Sequence, residues 1–253
     1  MMDFVLRYLA TCFLATSILL PSLACAQEEW DFTLAPYLWT PALSGDTSPS
    51  TNAPTASIDL SISDVLSHLN FGAMAVGEAR KGRFSILGNA FYSYISEKDD
   101  LTVNAANARN IKIGAKTFFA GLGAGYDLYE DNEALITGYA GFRYWDVENE
   151  LRFSGPLVSF DRTFSESWFD PLIGLGGSYD FGDGFSLQGY ADVGGMGVGS
   201  DLTWSIMALV GYQLGEQTSA HLGWRYLAVD YDDGGFLFDV ELSGPLLGIS
   251  FRF

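Results

Sequence analysis

The sequence predicts an all-β fold, an antiparallel up-and-down β-barrel of about ten strands, and three observations support this prediction. Apolar side chains recur at every second position, as Leu247, Ile249 and Phe251 do, and this spacing places them on one face of a strand. The segments between these runs are alternately short and long, an asymmetry typical of membrane barrels. No run of 18 apolar residues follows residue 26, so no membrane-spanning helix is predicted. Together these features favour a transmembrane barrel.

The alternation and the turn signals between the runs fix the predicted strands. They are 30–43, 70–80, 83–96, 111–129, 134–147, 168–181, 185–196, 203–215, 218–229 and 243–253. Residues 151–165 could add a hairpin and give twelve strands, whereas weak alternation over 70–80 leaves eight open. The long connections are predicted to be loops: Ser44–Leu69, Lys98–Asn110, Glu148–Glu166, Gly197–Leu202 and Asp230–Leu242. Within the first of them, a short helix is predicted over Ser63–Leu69, with Ser63 as its N-cap.

The first 26 residues predict a cleaved signal peptide, and residues 27–253 a single barrel domain. An apolar run over Tyr8–Leu20 is followed by small residues at Ala24 and Ala26, the pattern of a secretory cleavage site. Both cysteines, Cys12 and Cys25, lie in this signal, so the mature domain has neither disulfides nor thiolate ligands. Lipidation of Cys25 is the alternative.

The overall charge excludes one class of partner. The net charge is −18, which repels nucleic acid phosphates, and no nucleic acid is expected as a partner. The glycine-rich segments 121–125 and 194–199 are interpreted as strand glycines, because neither leads into a helix as a nucleotide-binding loop does. No cofactor is expected.

The last residues resemble a known targeting signature. Ile249, Phe251 and the terminal Phe253 are similar to the signal that the barrel-assembly machinery of the outer membrane reads. Four further segments are similar to a set of uncharacterised proteobacterial outer-membrane proteins, and loosely to barrels of the outer-membrane protein A, opacity and OmpW type: Trp30–Trp39, Glu78–Arg83, Phe142–Asp146 and Gly244–Gly248. The resemblance implies the outer membrane of a Gram-negative cell, periplasmic chaperones, and contact with lipid and lipopolysaccharide. It implies no particular activity.

Six charged residues fall on the strand face that is predicted to line the lumen. They are Asp31, Glu78, Arg143, Asp170, Asp192 and Arg225. A charge in a narrow lumen is costly unless it is paired, so these residues are expected to form ion pairs with one another. Two interpretations remain open, a packed polar lumen or a narrow path for a solute or an ion. The predicted role is therefore structural or interactive at the cell surface, or passage of small solutes.

The alternative function is an outer-membrane hydrolase that acts on lipid A or peptides. His68 has Asp64 and Ser67 nearby, and on a helix Asp64 and His68 would share a face. The other histidine, His221, lies near a short turn and away from the outer rim. An enzyme is not favoured, because near the outer rim no serine on a strand lies two residues from a histidine.

An acidic segment is a candidate for weak divalent-cation binding. Its carboxylates are those of Asp230, Asp232, Asp233 and Glu241. Gly234 stands where a calcium loop needs a side-chain ligand and the flanks are strands, so an EF-hand is rejected. Aromatic belts at two membrane interfaces are also predicted. Their members are Trp30, Trp39, Tyr92, Tyr94, Tyr126, Trp168, Trp224 and Tyr226.

Overall fold

The computed structural model describes residues 29–48, 55–102, 108–154 and 159–253, so the predicted signal peptide lies outside the described residues. The elements are β1 (Asp31–Trp39), β2 (Ala42–Ser48), β3 (Ala56–Leu60), α1 (Ile62–His68), β4 (Leu69–Lys81), β5 (Phe84–Thr102), β6 (Ala108–Glu130), β7 (Ala134–Ser154), β8 (Ser159–Gly182), β9 (Phe185–Gly194), β10 (Leu202–Gly215), β11 (Thr218–Asp233) and β12 (Phe236–Arg252). Among the described residues, no helix has the length and apolarity needed to cross a membrane.

Ten antiparallel strands form a closed ring, which confirms the predicted fold and strand number. The ring runs β1, then β4 to β12 in sequence order, and β12 pairs back with β1. Four short turns lie at one end together with the start of β1 and the end of β12, and we call this the turn end. The opposite end, where the long hairpins close, is called the loop end.

β2 and β3 form an additional hairpin at the loop end. The predicted strand 30–43 is in fact two strands, β1 and β2, which meet at Thr40 and Pro41. Proline has no N–H to donate to a ladder, and at this point the pairing with β12 passes from β1 to β2. Toward the loop end, β2 replaces β1 as the neighbour of β12. It pairs with the loop-end part of β12, from Ala42 opposite Ser243 to Ser48 opposite Leu237.

The predicted helix is present, but its N-terminus is different. α1 covers Ile62–His68, and its N-cap is Ser61, two residues before the predicted Ser63. The Asp64 backbone N–H donates to the Ser61 hydroxyl, and the Ser61 backbone N–H donates to the Asp64 carboxylate. This reciprocal capping box needs the cap three residues before the acidic residue, which Ser61 satisfies and Ser63 does not.

Most of the predicted outer loops are wrong, because the strands continue through them. β6, β7 and β8 contain 23, 21 and 24 residues, about twice the roughly 9–11 that a membrane crossing needs. Polar residues in the segments 148–166 and 230–242 suggested loops. In the hairpin of β11 and β12, however, the charged Asp230 and Asp232 lie on the outer face while Val229 and Tyr231 occupy the inner face, so the ladder is not interrupted.

The face that carries the apolar residues changes along a strand. On β10, Ile206 and Val210 point outward and are exposed, while Ser205 is buried inside the barrel. Near the loop end of β11 the pattern is reversed: Val229 is buried inside, and Asp232 is exposed outside. The barrel therefore has an apolar outer surface in its turn-end half and an apolar interior in its loop-end half.

Candidate functional site

An aromatic cluster fills the lumen in the loop-end half, and we call it the aromatic plug. Its rings belong to Trp39, Phe91, Phe119, Trp145, Trp168 and Tyr231. Neighbouring rings have centroid distances between 3.9 and 5.8 Å, so the contacts form one continuous chain. Aliphatic side chains of β11 and β12, such as Leu227 and Val240, complete the packing.

One contact shows that the aromatic plug crosses the barrel. The guanidinium carbon of Arg225 on β11 lies 5.3 Å from the ring of Phe119 on β6, and these two strands are on opposite sides of the ten-strand ring. Trp168 on β8 also stacks on Tyr231 on β11 at 3.9 Å between ring centroids, beyond the ends of the shorter strands β9 and β10. Offset-stacked rings of this kind contribute about 0.5–1.5 kcal/mol per pair beyond their burial. The loop-end half of the lumen is therefore a packed apolar core.

The turn-end half of the lumen contains a cavity of about 930 Å³, which we call the turn-end cavity. Inward side chains such as Thr33, Gln188 and Ser205 line its wall, and the turns around Asn132 and Asp183 line its mouth. A second cavity of about 70 Å³ lies in the loop-end half, beneath α1. The two cavities have no lining residue in common, and the aromatic plug lies between them.

Two arginines form the closed end of the turn-end cavity. Arg143 and Arg225 are only 5% and 3% exposed. The Phe119 ring lies 5.7 Å from the guanidinium carbon of Arg143 and 5.3 Å from that of Arg225. Arg225 also lies over the ring of Trp39 at 4.8 Å. Such cation–π contacts stabilise a cation at a desolvated position, so rings of the aromatic plug stabilise both guanidinium groups from the loop-end side.

The structure brings together two of the six predicted lumen charges as an ion pair. Arg143 Nη2 donates to Asp192 Oδ1 at 3.0 Å. Arg225 donates instead to the hydroxyl of Tyr37 at 3.0 Å. Asp31 pairs with Arg252 at 3.3 Å at the exposed rim of the turn end.

Asp170 is fully buried and holds a loop inside the barrel. Its carboxylate accepts hydrogen bonds from Trp145 Nε1 at 2.9 Å and from the backbone N–H of Ser200 at 2.7 Å. The Ser200 hydroxyl adds a third bond at 2.9 Å. A Cβ on Gly199 would lie 2.3 Å from the backbone oxygen of Phe169, so the loop between β9 and β10 approaches too closely for a side chain there. Asp170 therefore fastens this loop to the aromatic plug.

Sequence reasoning missed a second ion-pair cluster near the turn end. Arg80 pairs with Asp127, which is fully buried, and with Glu78 at 2.6 Å. Thr137 donates to the other Asp127 oxygen at 2.7 Å. Arg80 and Asp127 adjoin predicted turns and were not assigned to the lumen. Their inward parity, which Arg80 shares with Glu78, is the signal that could have identified them.

Both histidine side chains lie within hydrogen-bond distance of a serine hydroxyl. His68 Nδ1 lies 2.7 Å from the backbone oxygen of Asp64 and 3.1 Å from the Ser67 hydroxyl. The Asp64 carboxylate accepts from Ser61, and these hydrogen bonds hold the Asp64 pKa below its usual range. His221 lies in the wall of the turn-end cavity, with Nε2 2.8 Å from the Ser250 hydroxyl.

The acidic residues on the loop-end hairpin of β11 and β12 lie on its outer surface. Asp230 is directly opposite Asp239. Burial raises the pKa of Asp230, and the carboxylates of Asp239, Asp201 and Asp232 raise it further. In the part of the chain that the structure describes, no group of three or more histidine, cysteine or acidic side chains is arranged to hold a metal ion.

The predicted aromatic belts require side chains on the outer surface, and only some of the predicted members lie there. Trp30, Tyr126 and Trp224 are exposed on the outer surface, at 44%, 40% and 51%. Trp39 and Trp168 are wrong, because both side chains point inward and belong to the aromatic plug. The sequence did not reveal that these side chains point inward, because both faces of the two strands carry apolar residues near the loop end.

Comparison with known proteins gives structural resemblance alone. No family model and no curated protein matches the chain. The outer-membrane protease OmpT from Escherichia coli is 13% identical, with a TM-score of 0.48, over 90% of this chain and 98% of that one. The translocator domain of the autotransporter NalP from Neisseria meningitidis is 10% identical, with a TM-score of 0.43, over 88% of each chain. The attachment invasion locus protein Ail of Yersinia pestis, in complex with sucrose octasulfate, is 9% identical, with a TM-score of 0.36, over 89% of this chain and 99% of that one.

Proposed function

We propose that this chain is an outer-membrane β-barrel that does not conduct solutes and that acts at the cell surface through its loop-end half. The observation that carries the proposal is the aromatic plug. A conducting barrel needs a polar, water-filled path, whereas here the aromatic plug fills the loop-end half of the lumen.

The outer surface of the turn-end half supports the membrane location. Its exposed residues are apolar, such as Leu187 on β9, Val210 on β10 and Leu222 on β11. Aromatic residues such as Trp224 and Tyr212 lie at the two borders of this surface, where a bilayer has its interfaces. The wall of the loop-end half is polar outside, as Lys116 paired with Glu148 and Glu150 illustrates, and this suits exposure to water.

Strand length supports the surface role. A bilayer accommodates about 9–11 residues of a tilted strand, so β6 to β8 extend well beyond it. Barrels of this class place their tight turns in the periplasm, so the long hairpins would stand outside the cell and contact lipopolysaccharide or a surface partner. A packed interior gives these hairpins a rigid base.

The first experiment tests location and orientation. We expect the protein in the outer-membrane fraction, with different gel mobility before and after boiling. Residues 27–253 contain no cysteine, so single variants can be labelled with a membrane-impermeant maleimide on intact cells. S165C, on the exposed outer face of β8, should be labelled, while S186C, in the wall of the turn-end cavity, should not. A soluble protein without a mobility shift, or the reverse labelling pattern, would contradict the proposal.

A second experiment tests whether the barrel conducts. Purified protein in a planar lipid bilayer should give no stepwise ionic current. The variant W145A/W168A removes two rings of the aromatic plug and serves as the control, provided that it keeps the mobility shift. We expect current through this variant, whereas steady current through the unchanged protein would exclude a closed barrel.

We further propose that the chain is not an enzyme. The hydrolase candidate His68 contacts the backbone oxygen of Asp64 and the Ser67 hydroxyl, and the Asp64 carboxylate accepts hydrogen bonds from Ser61. H68A should leave the lipid A profile of the cell unchanged. A changed profile that the wild-type gene restores would favour a hydrolase.

A further inference from the structure

We propose that the free edge of β3 binds an extended polypeptide segment of a partner protein, in which basic and apolar residues alternate. β3 covers Ala56–Leu60 and is the last strand of the additional hairpin. It pairs with β2 on one side, and no described strand pairs with its other side. The site lies in the loop-end half, so the proposal rests on the surface role proposed above and specifies the kind of partner.

The edge of β3 has the features of a surface that accepts another strand. An edge strand carries unpaired backbone N–H and C=O groups, and an extended peptide can add to them as a further strand. Natural edges are usually protected by lysine, by proline or by a β-bulge. β3 contains neither lysine nor proline, and its pairing with β2 has no shift in register from Leu60 opposite Leu43 to Ala56 opposite Thr47. Its backbone is therefore regular enough to pair with a further strand.

The outer face beside this edge is acidic. Asp59 is exposed on β3, and Asp46 on β2 lies between Ser57 of β3 and Asp239 of β12 in the register of the sheet. β2, β3 and α1 together contain three aspartates and neither lysine nor arginine. A basic side chain on the added strand would meet these carboxylates, whereas an anionic partner such as lipopolysaccharide is repelled. A second copy of this chain would bring two acidic faces together, which is unfavourable.

The inner face beside the edge is apolar. Successive side chains of a strand point to opposite faces, so Ile58 points inward while Ser57 and Asp59 point outward. Ile58 lines the cavity of about 70 Å³ beneath α1, together with Val65 and Leu66. Leu66 is nevertheless 49% exposed, so an apolar surface lies open to solvent next to the edge. An added strand would place every second side chain over this surface, and these side chains should be apolar.

The test is a titration of the folded barrel in detergent with a labelled peptide of alternating lysine and valine, followed by fluorescence anisotropy. We expect saturable binding, and slower hydrogen exchange of the β3 amides when the peptide is bound. One matched peptide has glutamate in place of lysine. Another keeps the lysines but is methylated at every backbone nitrogen, so it cannot donate hydrogen bonds to β3. Both should bind at least about tenfold more weakly. If either matched peptide binds as tightly as the first, or if the first does not bind, the proposal is overturned.

Two variants locate the site. D59K places a lysine, which protects natural edges, beside the proposed site, and it should weaken binding of the basic peptide at least about tenfold. E216K makes the same change of charge at the exposed turn between β10 and β11, and it should leave the affinity unchanged. An equal loss in both variants would show that the peptide responds to net charge alone. If D59K loses the mobility shift on boiling, hydrogen exchange of the unchanged protein decides, and slowing that spares β3 contradicts the assignment.

The titration uses purified protein in detergent, so its outcome does not depend on membrane orientation. Failure of the surface role would appear in the maleimide labelling instead, and the two proposals can fail separately. S57C, at an exposed position of β3, tests the remaining occupant. Disulfide-linked dimers of this variant in the absence of peptide would show that a second copy occupies the edge, and they would overturn the proposal.

Discussion

The two halves of this barrel have opposite polarity, although the same strands run through both. In the turn-end half, Val210 is exposed on the outer face and Ser205 is buried inside. In the loop-end half, Val229 is buried inside and Asp232 is exposed outside. The sheet, the ladder and the alternation are continuous across the change on β11, which falls between Tyr226 and Leu227.

The proposed membrane location accounts for this difference, because lipid would surround the turn-end half and water the loop-end half. Where lipid surrounds a barrel, the outer face is apolar and the interior can hold charges and a water-accessible cavity. Where water surrounds it, the apolar side chains are driven inside, as in a soluble barrel. The closed end at Arg143 and Arg225 lies where these two regimes meet, so charged groups there are packed directly against aromatic rings.

The largest effect is expected for a charge inside the loop-end half. V229K places an ammonium group at a position only 1% exposed, where it has no counterion. We expect the free energy of unfolding to fall by at least about 4 kcal/mol, as measured by urea unfolding in lipid vesicles. D232K, on the outer face of the same strand, is the control and should change it by less than about 0.5 kcal/mol. Similar effects of both substitutions would show that the loop-end interior is not a packed core.

An intermediate effect is expected for the same substitution on the outer face of the turn-end half. V210K places the charge at a position that is 52% exposed in the structure and that faces lipid in our proposal. We expect a loss of about 2–4 kcal/mol in vesicles. Q188K, which points into the turn-end cavity, should be tolerated. If V210K is harmless in vesicles and Q188K is not, the apolar outer surface does not face lipid.

The smallest effect is expected for the pH dependence of the loop-end hairpin. The folded-state pKa of Asp230 is raised by burial and by Asp239, Asp201 and Asp232, so the folded state binds the proton more tightly than the unfolded state. Ionisation of Asp230 therefore costs stability, and this cost is present above the raised pKa and is lost as pH falls through it. D230N should raise the melting temperature slightly at pH 7 and have no such effect below the ordinary value of 3.8. A gain of equal size at both pH values would indicate packing instead of charge.

Local sequence patterns predicted the strands of the sheet, but they did not predict how side chains pack inside the barrel. The period of two and the short turns predicted ten strands, because alternation and turn chemistry act between residues that are close in sequence. The same reasoning ended the strands too early at Glu148 and Asp230, because charged residues were interpreted as loops. The reversal over Leu227–Asp232, where apolar residues move to the other face, was the signal that these strands continue.

By itself, the sequence determined the closed antiparallel barrel and the inward parity of Arg143, Asp192 and Arg225, since both follow from the alternation of side chains along single strands. Only the tertiary structure decided that Trp168 stacks on Tyr231, and that Arg143 and Arg225 share one aromatic ring. These residues lie on strands that are not neighbours in the sheet. Their contacts depend on the curvature of the closed ring and on the volume of every side chain inside it, which no local pattern contains.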